Sequence, residues 1–205
     1  MDPATRDFWD ARYAAAEGYL FGEAPNAFLA AQAARLQPGL TALAVADGDG
    51  RNGVWLAQQG LSVTTTDVSP RAVDKARALA ARRGVALDAR VADLATWTWP
   101  EAAFDVVVAI FIQFAPPPAR DLMFRRMAAA LKPGGLLILQ GYRPEQLAYG
   151  TGGPGQVENL YTEALLRSAF ADLEILHLAS HDSDLDEGAA HRGRSALIDL
   201  VARRP

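Results

Sequence analysis

The sequence predicts an α/β domain built on a doubly wound, mostly parallel seven-stranded sheet that ends in an antiparallel hairpin. Three observations carry this. Short apolar or β-branched runs alternate with helical segments through five units. Residues 104–111 (FDVVVAIF) form an apolar run that suits a central parallel strand covered on both faces. The last two strand-like runs have no helix between them, which favours antiparallel neighbours at the sheet edge.

Taken in order, residues 41–46 (TALAVA) read as the first strand and run into the turn Asp47-Gly-Asp-Gly50. Residues 53–59 read as a helix stopped at Gly60, and residues 61–66 (LSVTTT) as a β-branched second strand. Ser69 is placed to cap a helix that starts at Pro70 and ends at Gly84. Residues 85–91 are the third strand and 104–111 the fourth. An amphipathic helix over 119–131 closes at Lys132-Pro-Gly-Gly135, and 136–140 follow as the fifth strand. Residues 162–170 read as a helix. Residues 173–179 and 195–202 are the late strands, and the polar, glycine-containing stretch 181–193 between them reads as a loop. Residues 1–40 precede the sheet. They hold Phe8, Trp9, Tyr13, Tyr19, Phe21 and Phe28, six of the seventeen aromatic residues, in a polar, alanine-rich helical extension.

With 205 residues, the chain is expected to be one domain: a helical lid over 1–40 and a core over 41–205. Half of the residues are apolar and 21% are charged, which excludes a disordered chain. A net charge of -4 argues against a nucleic-acid backbone as the main partner. The chain has no cysteine, so disulfides, thiolate metal sites and a cysteine nucleophile are excluded. Its start, MDPATRDFWDARY, is charged and lacks the apolar centre of a targeting segment. Apolar stretches such as 106–112 are too short to span a bilayer. A soluble, cytoplasmic monomer or homodimer with no membrane partner is expected.

Gly48-Asp-Gly50-Arg-Asn-Gly53 matches G-x-G-x-x-G between a strand and a helix, and Asp67 follows Gly48 by nineteen residues, at the end of the next strand. Glycines let a backbone turn sharply and approach a ligand, and a carboxylate can hold a ribose diol. Read mechanically, this is a dinucleotide fingerprint. The plain alternative is a tight turn with no ligand.

Leu43-Ala-Val-Ala-Asp-Gly-Asp-Gly50 resembles motif I of the class I S-adenosylmethionine-dependent methyltransferases, whose usual pattern is acidic-x-Gly-x-Gly-x-Gly. Ala44 stands where that family has an acid, and Ala46 where it has the first glycine. Asp47 and Asp49 are the candidates to replace the lost carboxylate. Asp67-Val-Ser69 looks like motif II, which implies Asp67 on the ribose and Val68 against the adenine. Val91-Ala-Asp93-Leu94 is similar to the motif in which an Asp meets the adenine amino group, with Ala92 and Leu94 beside it. Residues 104–111 resemble the family's fourth strand, whose end faces the methyl group, and Leu131-Lys-Pro-Gly-Gly135 matches the turn before its fifth. Phe8-Trp-Asp-Ala-Arg-Tyr13, Phe21-Gly-Glu-Ala-Pro-Asn26, Gly50-Arg-Asn52, Tyr142 and Gly150-Thr-Gly-Gly-Pro154 look like the small tellurite-resistance-type and thiol-type branch.

The resemblance implies a Rossmann-like fold, S-adenosylmethionine as cofactor, and methyl transfer to a small soft or anionic acceptor such as a thiol or a chalcogen oxyanion. On it, Ala46, Asp47, Gly48, Gly50 and Asn52 cradle the amino-acid end of the cofactor. Tyr13 and Phe21 close over it, as aromatic faces suit a sulfonium; the plain alternative is a helix packed on the core. Ile110, Phe111 and Gln113 line the reaction face. Tyr142, Arg143, His191 and Arg192 form the acceptor wall, where cationic groups orient the nucleophile. No catalytic base is assigned. No metal is expected, because the carboxylates and histidines of 181–193 lack tight ligand spacing. Two other classes stay open: an NAD-binding oxidoreductase, which shares the glycine turn, and a noncatalytic binding protein on a degenerate fold.

Overall fold

The computed structural model describes residues 3–188 and 192–205. Contacts group it into two units, residues 1–98 with 187–190 and residues 99–186 with 191–205.

The first unit starts with the helices α1 (Pro3–Ala15) and α2 (Ala27–Ala31). Its strands are β1 (Thr41–Ala44), β2 (Ser62–Asp67) and β3 (Asp88–Val91), all parallel, with β2 in the middle. Helix α3 (Arg51–Gln58) joins the first two strands and α4 (Pro70–Arg83) the second and third. The buried residues of α4 are Ala72, Val73, Ala76, Leu79 and Ala80, one stripe at helical spacing. Its ends are as the sequence predicts: the Ser69 hydroxyl accepts from the Ala72 N–H, and Gly84 closes the helix in the left-handed region. Helix α3 begins two residues earlier than predicted, with Gly50 at its cap. A Cβ on Gly50 would lie 2.5 Å from the Ala76 side chain, so glycine is what lets α3 start against α4.

Helix α1 is held by polar contacts. The Lys75 ammonium donates to the carbonyls of Tyr13, Ala16 and Gly18 at 2.6, 3.1 and 2.7 Å, where the helix dipole favours a cation. In return, Asp10 accepts from the Ser69 hydroxyl at 2.7 Å and the Arg71 N–H at 3.0 Å, at the start of α4.

The second unit holds β4 (Phe104–Ile110), α5 (Pro117–Ala130), β5 (Leu131–Tyr142), α6 (Gln146–Tyr149), α7 (Glu163–Ala169), β6 (Glu174–Asp186) and β7 (Arg192–Arg203). Strands β4 and β5 are parallel; β7 is antiparallel to both β5 and β6. The sheet order is β3-β2-β1-β4-β5-β7-β6, a mostly parallel sheet with an antiparallel terminal hairpin. Val106, Val107, Val108 and Ala109 are buried, as their unbroken apolar run requires. Phe124 packs against Tyr161 and Phe170, with ring centroids at 5.4 and 5.0 Å.

One expectation is corrected here. Much of the predicted loop 181–193 is strand: Asp182, Asp184 and Asp186 pair with Ala196, Arg194 and Arg192. Polarity suggested a loop, but the stretch alternates with period two. Asp182, Asp184 and Asp186 point outward while Leu185 is buried. Cross-strand charge pairs hold it, Arg192 with Asp186 at 3.2 Å and Arg194 with Asp184 at 3.6 Å.

Gly141 tests the packing of β5. A Cβ there would lie 2.7 Å from the Tyr161 ring and 2.9 Å from the Gln113 amide oxygen. Gly141→Ala is expected to cost about 1–3 kcal/mol of stability in urea denaturation. A variant as stable as the parent would mean that Tyr161 moves aside freely.

Candidate active site

The first unit gathers the predicted cofactor residues around one turn. Ala46, Gly48 and Gly50 all take the left-handed conformation, with φ of 48°, 61° and 91°. The backbone thus makes the glycine turn even where Ala46 replaces glycine. Three carboxylates hold it. Asp67 accepts from the N–H groups of Gly48 and Ser69, both at 2.9 Å. Asp47 accepts from the Gly53 N–H at 2.9 Å and the Thr65 hydroxyl at 3.4 Å. Asp49 accepts from the Leu20 N–H at 2.6 Å, while its other oxygen is buried with no hydrogen-bond partner among the described residues. Burial raises all three acids, Asp47 to about 7 and Asp67 to about 6, against the pull of their N–H donors.

The N-terminal segment covers this turn. Tyr13 is buried, its hydroxyl so close to Gly48 that any Cβ there would collide with it. Burial, and then the neighbouring Asp67, Asp49 and Asp47, raise the Tyr13 hydroxyl. Phe21 meets the Tyr13 ring edge-on at 6.2 Å. Asn52 accepts from the Asn26 N–H at 2.9 Å, a link that the sequence reading did not find. Val68 is half-buried beyond β2. Ala92 and Leu94 are buried, and Asp93 accepts from the Ala95 N–H at 2.9 Å to shape the turn after β3.

In the second unit, Ile110 and Phe111 are half-buried at the end of β4. Phe111 has φ of 55° and stacks on Tyr142 at 4.7 Å. A bulky residue held in that region stores strain, which concentrates at functional sites. The Gln113 amide is spent on the backbone: it donates to the carbonyls of Tyr142 and Asn159 and accepts from the Tyr142 N–H. Tyr142 is fully buried beneath this staple. Arg143 pairs with Asp182 at 2.5 Å and Glu145 at 3.3 Å. Arg192 lies on β7 rather than in a loop, exposed and paired with Asp186. His191 lies outside the described residues. Asp199 holds the His181 imidazole at 2.8 Å and the Gln140 amide at 2.6 Å, a part-buried pairing that the sequence reading missed because 181 was placed in a loop. Among the described residues, no group of three histidines or carboxylates is placed to hold a metal, and no helix is long and apolar enough to cross a membrane.

Sheet order, glycine turn and the acid at the end of β2 together define a Rossmann-like α/β domain. Residues 42–135, a little under half of the chain, match the family model described as a methyltransferase domain. The chain is 32% identical over 117 residues to an uncharacterized protein of Mycobacterium tuberculosis, a match that takes in 56% of this chain and 41% of the relative. It thus spans less than half the length of that curated relative. A structure described as the conversion of a disulfide bond into a thioacetal group during echinomycin biosynthesis superposes with a TM-score of 0.81 at 20% identity, over 98% of this chain and 91% of that one. The N-methyltransferase NodS of Bradyrhizobium japonicum, in complex with S-adenosyl-L-homocysteine, gives 0.73 at 17% identity, over 98% of each chain. TehB of Haemophilus influenzae gives 0.73 at 15%, over 98% of this chain and 67% of that one. At these identities the likeness is one of fold.

Two outcomes follow from the turn. An L-residue in the left-handed region costs about 1–2 kcal/mol, and glycine gives back about half of that through the unfolded chain. Ala46→Gly is therefore expected to raise stability by about 0.5–1 kcal/mol in denaturant titration; a loss would show that the Ala46 methyl packs usefully.

The second outcome concerns pH. A carboxyl raised by folding is destabilising while ionised, so the penalty is full above the folded value and fades as pH falls through it, down to the ordinary carboxylate range. For Asp47 that window runs from about 7 down to the ordinary aspartate value of 3.8. From about pH 8 to about pH 5.5, the parent should gain about 1–2 kcal/mol relative to Asp47→Asn, read as a change in the gap between thermal midpoints. A constant gap would mean that Asp47 titrates normally.

Proposed function

We propose that this chain is an S-adenosylmethionine-dependent methyltransferase whose acceptor is a small molecule with a soft sulfur nucleophile. The observation that carries the first half is the acid-rich turn. Asp67, at the end of β2, spends one lone pair of each oxygen on a backbone N–H and keeps others for ribose hydroxyls. The bare, buried Asp49 oxygen beside it suits an ammonium donor, in the role that Ala44 cannot fill. Of the two candidates for that role, Asp47 is engaged with Gly53 and Thr65. When bound, S-adenosylmethionine supplies a methyl group already activated on a sulfonium. The chain's own residues then have to bind, orient and exclude water. Val68, Ala92 and Leu94 offer apolar surface for the adenine, and Asp93 a carboxylate for its amino group. Tyr13 and Phe21 cover the turn.

Charge supports the second half. The arginines expected to attract an anion already have partners, Arg143 with Asp182 and Glu145 and Arg192 with Asp186, and so does the neighbouring Arg194, with Asp182 and Asp184. Those four carboxylates outnumber the three guanidiniums, so this surface does not favour a chalcogen oxyanion. A small thiol arrives mostly neutral, and its minor thiolate fraction is a polarizable nucleophile that needs no obligate base. The sulfur chemistry named for the echinomycin structure is of the same kind.

The test has two arms. Asp67→Ala removes an ionised acceptor and is expected to weaken S-adenosylhomocysteine binding by about 1.5–3 kcal/mol, or about 10- to 150-fold, in calorimetry. Unchanged affinity in a folded variant rules out the ribose role. The acceptor arm offers radiolabelled S-adenosylmethionine with small thiols, selenite and tellurite. Transfer to thiols is expected; transfer confined to the oxyanions would reverse the acceptor assignment.

A further inference from the structure

The segment that crosses the glycine turn, residues 18–27, is fastened by hydrogen bonds and charge rather than by apolar burial. Leu20, Phe21 and Pro25 are half-buried, Glu23 and Ala24 are exposed, and Asn26 is the buried residue among them. One side chain gathers the fastenings. Glu187 accepts from both sides of the segment's anchor: from the Asn26 amide, at 3.1 Å to each oxygen, and from the Ala27 N–H at 2.9 Å. The same carboxylate pairs with the Arg51 guanidinium at 2.7 Å, and the two side chains are only 10% and 5% exposed. Arg51 is the first residue of α3, directly after Gly50 of the turn. Gly188 completes the contact: a Cβ there would lie 2.5 Å from the Phe21 carbonyl carbon and 2.6 Å from the Gly22 nitrogen.

We propose that Glu187 is a latch that fastens residues 18–27 across the cofactor turn, and that its release gates cofactor exchange. This rests on the methyltransferase reading above. Tyr13 lies against Gly48, Leu20 is bonded to Asp49 and Asn26 to Asn52, so a ligand reaching the turn must displace this segment. The buried ion pair makes the fastening reversible. Its attraction is offset by the water that both charges give up, so the closed and open states differ little in free energy. A segment with few buried apolar groups opens locally without global unfolding. Gly18 and Gly22, both left-handed, bracket the stretch that has to swing. Glu187 is thus a positioning residue that acts through Asn26 and Arg51.

The experiment uses the full chain and an isosteric probe. Asn26→Asp keeps an oxygen to cap α2, which the native side chain does by accepting from the Leu29 N–H at 3.0 Å. It also turns the donor facing Glu187 into a like charge. Two rates are measured: amide hydrogen exchange over residues 18–27 without ligand, and S-adenosylhomocysteine release by stopped flow. Asn26→Asp is expected to speed both by about tenfold or more, the equivalent of about 1.4 kcal/mol. The double substitution Asn26→Asp/Glu187→Gln again sets a donor against an acceptor and should return both rates to within about threefold of the parent. Gly188→Ala pushes the tip off Phe21 with every charge in place and should also speed both. Parental rates in Asn26→Asp, or no rescue in the double variant, overturn the latch. Faster exchange with unchanged release overturns the gating role. If the unmodified chain binds no S-adenosylhomocysteine, the cofactor reading itself fails, and this is seen before any variant is compared.

Discussion

A carboxylate withdrawn from water has to be given donors, and at residues 46–50 most of them come from the main chain. Asp67 takes the N–H groups of Gly48 and Ser69, which joins the turn to the end of β2 and the start of α4. Asp47 takes that of Gly53, which sets the first turn of α3. Asp49 takes that of Leu20 and so draws in the N-terminal segment. The placement of two helices and a covering segment thus depends on three acids. Their raised protonation shows what this arrangement costs. A cation arriving at the turn would recover part of that cost, which supports the ammonium-binding role proposed for Asp49.

The second unit is arranged by a different device. Gln113 uses both ends of its amide on the backbone around Tyr142 and so fixes where β5 ends relative to the turn after β4. Phe111, in the left-handed region, is held there by its stack on Tyr142 and by its N–H donating to the Gln140 carbonyl. Here the polar side chain is scaffold, and of the aromatic pair Tyr142 is buried while Phe111 stays partly exposed.

Much of the fold was readable because local signals agreed with one another. Ser69, Pro70 and Gly84 bound α4 at the residues that the sequence indicates, and the run through Val106–Val108 can only be a buried strand. The glycine turn was legible too, since the left-handed conformations at Gly48 and Gly50 need what glycine offers. What escaped was tertiary. Nothing local marks Asn52 as the partner of Asn26, or Glu187 as the partner of Arg51, because each pair is assembled by chain segments far apart. The hairpin was misread because charge density outweighed its period-two alternation, and the acceptor wall placed there lost its loop. Arginines counted as free cations proved to have carboxylate partners, which composition does not reveal.

That hairpin also has a bearing on how the protein behaves in a crowded solution. β6 is the outermost strand on its side of the sheet, thirteen residues long, and an exposed strand edge is a template for pairing with other chains. Asp182, Asp184 and Asp186 alternate along its outer half and pair with Arg143, Arg194 and Arg192, so this end of the hairpin carries charges of both signs. Two molecules approaching edge to edge would have to strip water from these charged groups, a cost that opposes pairing between chains.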